Sequence, residues 1–84
     1  MSFDARQAAV DLLDELCDEG AIELAPNANR TAVAADLAEL IAVPLELSAT
    51  IDWIEGWLFS SDDVSEVFAN RSTLEAIFER VRGR

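Results

Sequence analysis

The residues able to do chemistry in this chain are carboxylates. Asp4, Asp11, Asp14, Glu15 and Asp18 recur at spacings that share one face of a helix, and Asp62, Asp63 and Glu66 make a second group. Paired carboxylates can act as general acid and base, or hold a hard cation. With 17 acids in 84 residues, close pairs arise from composition alone. The chain has no histidine, the commonest general base and metal ligand, so no serine or cysteine has its usual activating partner. A calcium loop needs alternating acids, a central glycine and a terminal glutamate. Asp18-Glu19-Gly20 does not supply that order, and helix capping accounts for Asp62 and Asp63. The reading is therefore a non-enzymatic protein with no catalytic residue, no metal and no cofactor.

Cys17 is the only cysteine, which excludes a disulfide within the chain and suits a reducing, cytoplasmic setting. It falls on the apolar side of its helix, where cysteine is usually an inert small hydrophobe. No apolar run approaches the roughly 18 residues that a membrane span needs, and the N-terminus does not read as a signal peptide.

These side chains are positioned by apolar residues at helical spacing. A first helix is predicted over Phe3 to Glu19, with Ala5, Ala9, Leu12, Leu13, Leu16 and Cys17 inward, Ser2 as cap and Gly20 as stop. Asp18 and Glu19 then sit at the end where the helix dipole disfavours acids. Ile22 and Leu24 alternate with Glu23, as in a short extended piece or single turn, and Pro26 to Asn29 reads as a loop. A second helix runs from Arg30 to Val43, with Asn29 or Thr31 as cap and Val33, Leu37, Leu40 and Ile41 buried. Pro44 stops it and suits the first turn of the next.

The third predicted helix, Leu45 to Phe59, looks like the central packing ridge, with Leu47, Ile51, Ile54 and Leu58 on one face. A short fourth helix is expected from Asp62 to Ala69, with Val64, Val67 and Phe68 inward. A fifth, capped by Ser72, carries Leu74, Ile77, Phe78 and Val81. The whole reads as one all-α domain over residues 1–84, a compact irregular bundle or orthogonal array of four to five short amphipathic helices.

Helix three raises a question of surface. With Ile54 pointing to the core, Trp57 lies about 60° away, Trp53 about 100° and Phe59 about 140°, at about 100° per residue. Trp53, Trp57 and Phe59 form a candidate aromatic anchor, because aromatics dominate interface hot spots. Gly56 either allows close backbone approach there or is merely tolerated. On the first helix, like charges at Asp11/Glu15 and Asp14/Asp18 repel each other, so Asp11, Asp14, Glu15 and Asp18 form a candidate face for a basic partner.

Net charge is −11, with six arginines and no lysine, a bacterial-like composition that also suits a salt-adapted surface. Such charge disfavours direct contact with nucleic acid or an anionic membrane. Length, acidity and helical pattern resemble those of acyl carrier proteins. Those proteins start a central helix with Asp-Ser-Leu, whereas Ser48 here follows Leu47, so no prosthetic arm is expected. Size and helix pattern also resemble death-fold-like self-associating adaptors and small acidic immunity-type proteins.

The expected function is a small acidic interaction module, adaptor or regulator, acting on another protein or on a second copy of itself. An alternative is an acidic inhibitor or antirepressor that covers a basic, nucleic-acid-binding surface of its target.

Overall fold

Four amphipathic stripes must each find a partner, and they do so by closing a ring. The computed structural model describes residues 4–43 and 46–83. In chain order the elements are α1 (Ala5–Asp18), β1 (Ile22–Leu24), α2 (Arg30–Ile41), α3 (Leu47–Ser60), β2 (Val64–Val67) and α4 (Arg71–Arg82). α1 packs on α2 and α4, and α3 packs on the same two helices, so α1 and α3 face each other across the ring without backbone contact. β1 rests on α1, β2 rests on α3, and the two strands pair as a small antiparallel ribbon. The result is a compact, irregular four-helix array with one ribbon, mostly α in character.

Local chemistry sets the helix ends. The Asp4 carboxylate accepts hydrogen bonds from the Arg6 and Gln7 backbone N–H groups, and Asn29 does the same for Thr31 and Ala32. Asn70 caps α4 by accepting from Thr73, so the helix starts earlier than a Ser72 cap implied. After α1, the Ala21 N–H donates to the Leu16 carbonyl and the Gly20 N–H to that of Cys17. This C-terminal motif needs a left-handed residue, and Gly20 supplies it at φ 69°. Ser2 as cap, Phe3 and Leu45 as helix starts and Pro44 as stop lie outside the described residues.

The core is one cluster of mainly aliphatic side chains. Leu12, Leu13 and Leu16 of α1, Val33 and Leu37 of α2, Ile51, Ile54 and Leu58 of α3, and Leu74 and Ile77 of α4 are essentially fully buried. Among the described residues, Phe78 is its one buried aromatic. Leu40, Leu47 and Cys17 are only partly buried against it.

The predicted helix over Asp62 to Ala69 is corrected by the structure: Val64–Val67 is a strand. Adjacent residues such as Val67 and Phe68 can both turn inward on a helix, but on a strand they alternate. Val67 accordingly packs on the core, whereas Phe68 points outward and is 61% exposed. The extended piece expected at Ile22 and Leu24 is its partner. Ile22 pairs with Val67 and Glu23 with Glu66. A bulge then steps the register so that Leu24 meets Val64. Ser65 Oγ donates to the Glu23 carbonyl across the ribbon.

The strand and the helix predict different costs for truncation. Leu16→Ala should lower unfolding free energy in urea by about 2–5 kcal/mol, through lost burial and a cavity. Phe68→Ala should change it by no more than about 0.5 kcal/mol, as for an exposed site. A helix with Phe68 inward would make both costs large.

Candidate functional site

The acidic face expected on α1 is largely occupied from within the chain. Asp14 pairs with Arg30 at 2.6 Å, which ties the start of α2 to the last turns of α1. Arg80 of α4 reaches Glu15 at 3.3 Å and Glu19 at 2.5 Å. Asp11 is half-buried and accepts a hydrogen bond from the Gln7 amide at 3.1 Å. Asp18 alone of this group stays exposed with no ion pair among the described residues. Arg80 thus resolves the unfavourable placement of Glu19 at the α1 C-terminus, and does so from the far end of the sequence. On α3, Asp52 pairs with Arg71, whose guanidinium also donates to the Ser48 carbonyl and hydroxyl.

The aromatic residues divide. Trp57 packs partly on the core. Trp53 remains 48% exposed and Phe59 69%. Six residues apart on a helix, these two point about 120° away from each other and do not form one edge. Phe59 instead shares its side of α3 with Glu55 and leads into the Asp62–Asp63 turn. Gly56 is exposed, and a Cβ there would meet nothing within 4 Å, so no neighbour depends on its absence.

The ribbon carries a cluster that the sequence pattern did not single out. Glu23 and Glu66 stand directly opposite each other, both exposed. Opposed like charges on adjacent strands destabilise a ribbon. Phe68, two residues beyond Glu66, projects to the same outward side. Val64–Ser65–Glu66–Val67 runs apolar, polar, polar, apolar, a spacing that also fits a helix, so the segment carries no period-two signal for this cluster.

Two further features bear on chemistry. Burial pushes the Cys17 thiol above its ordinary pKa, Arg30 opposes this, and Asp14 and Asp18 push it further up. At neutral pH the group is a thiol, a poor nucleophile. Between α1 and α2 lies an open groove of about 740 Å³, floored by alanines and Leu13. Among the described residues, no group of three or more His, Cys, Asp or Glu could hold a metal ion. None of their helices is long and apolar enough to cross a membrane. In comparisons with known proteins, no family model, curated protein or solved structure matches the chain.

Glu66→Lys converts a repulsive cross-strand pair into an attractive one. It should raise unfolding free energy by about 0.2–1 kcal/mol at low salt, with the gain shrinking as salt is added. Cys17 should react with iodoacetamide more slowly in the native protein at neutral pH than in urea-unfolded chain. Equal rates would contradict the placement of its thiol.

Proposed function

We propose that this protein is a small interaction module that recognises a basic partner protein, and that the outward face of the β1–β2 ribbon is its main contact surface. The observation that carries this reading is the opposed pair Glu23 and Glu66 beside exposed Phe68. Two carboxylates side by side accept the forked donors of a guanidinium, and an aromatic ring offers its face to the same cation. The pair works against the stability of the ribbon in the free protein, and a cation between them relieves that repulsion. Asp62 and Phe59, at the approach to β2, extend the surface toward α3, and Asp18 and Trp53 are further exposed contacts.

This places binding on the ribbon more than on α1, where Arg30 and Arg80 have already neutralised much of the charge. The protonated thiol and the structural use of Asp14, Glu15 and Asp52 favour a binding protein over an enzyme. The unpaired Cys17 favours the cytoplasm. A net charge of −11 would speed encounter with a basic partner.

The test is a titration with an arginine-rich peptide, followed by tryptophan fluorescence at low and high salt. Glu66→Lys and Phe68→Ala should each weaken binding by at least about tenfold, as expected for interface hot spots. Asp36→Lys, which makes the same charge change on α2, should weaken it far less. If Asp36→Lys and Glu66→Lys weaken binding equally, attraction is merely to net charge and the ribbon site is wrong. Glu66→Lys should therefore stabilise the fold while impairing binding.

A further inference from the structure

The groove between α1 and α2 has a charge pattern that matches itself. Its floor includes Leu13, Ala34 and Ala38, and Val10, 43% exposed, forms part of its wall. Asp14 on α1 and Arg30 on α2 meet beside it. Arg6, about 12 Å from Asp14 along α1, also borders it, as does Glu39, about 13 Å from Arg30 along α2. Neither Arg6 nor Glu39 belongs to an ion pair among the described residues. Each helix thus presents one base and one acid, in opposite order relative to the Asp14–Arg30 contact. This border is locally neutral on a chain whose net charge is −11.

We propose that a second copy of this chain docks groove on groove, forming a two-fold symmetric dimer. With the two-fold axis running along the groove, α1 of each copy lies over α2 of the other. Arg6 then faces Glu39 across the interface, and Asp14 faces Arg30, each pairing occurring twice. A two-fold interface must be complementary to itself, and this distribution meets that condition. Alanines on α2 let helices approach closely, and the exposed Val10 side chains fill the space between them. A foreign basic partner fits this border poorly, because it carries as many bases as acids. Dimerisation would also enlarge the small apolar core available to so short a chain. The surface is separate from the ribbon, so this inference stands independently of the proposed partner site.

Light scattering after size exclusion, over a range of concentrations and at low and high salt, tests the dimer. The unmodified protein should dimerise, and more tightly at high salt, where repulsion between two acidic bodies is screened while apolar contact persists. Ala35→Glu and Val10→Glu, both at exposed positions, should give monomers with unchanged circular dichroism. Arg6→Glu and Glu39→Arg should each weaken association by about tenfold or more, and the double exchange should restore it, as coupled charges do. Phe68→Ala should leave the dimer intact. A protein that is monomeric at every concentration and salt, or a dimer that survives both Ala35→Glu and Val10→Glu, overturns the proposal. A charge exchange that fails to restore association does so as well.

Discussion

Burial of the α1 stripe is the constraint on which the rest of this structure depends. Leu12, Leu13 and Leu16 are almost wholly removed from water, enclosed by neighbours that include α2, α4 and β1. No other element joins the two sides of the ring and the ribbon in this way except α3, which does the same from across the molecule. Fully burying such side chains contributes about 1.5–3 kcal/mol each before chain entropy is counted. With one buried aromatic among the described residues and many alanines, the core has little apolar area in reserve. Closure of the ring is therefore cooperative: each helix is marginal alone and is held by its two neighbours.

That closure determines where the charges go. Packing α2 and α4 on either side of α1 brings Arg30 and Arg80 onto its acidic face. These exposed pairs add little to stability, but they reduce repulsion along a helix whose acids would otherwise face one another. Among the described residues, no arginine pairs with the ribbon acids Glu23 and Glu66. A chain with 17 acids and six arginines cannot pair them all, so the placement of the arginines decides which acidic surface stays available. Here they secure α1, α3 and α4 and leave the ribbon face negative.

The two proposed surfaces differ in physical character for the same reason. The ribbon face is acidic and aromatic, which suits a cationic partner and makes binding sensitive to salt. The α1–α2 groove is apolar, bordered by equal numbers of acids and bases, and suits a second copy. A small protein with a surface of each kind can self-associate without covering its partner site.

The sequence by itself determined the four helices, their buried faces and the mostly α character. Leu12, Leu16, Ile54 and Ile77 are legible because period 3.6 is a local property, and Asn29 and Gly20 mark helix ends by local bonding and local φ. Tertiary structure alone decided the segment after α3. Val64–Val67 is too short to nucleate a helix, and it becomes a strand because β1, some 42 residues away, presents an edge to pair with. That pairing turned Phe68 outward and set Glu66 against Glu23. Tertiary packing also chose which α1 acids are neutralised, since Arg30 and Arg80 reach them from other helices. Contacts between distant residues leave no periodic trace in a single sequence, so the core could be read from it and the exposed grouping of Glu23, Glu66 and Phe68 could not.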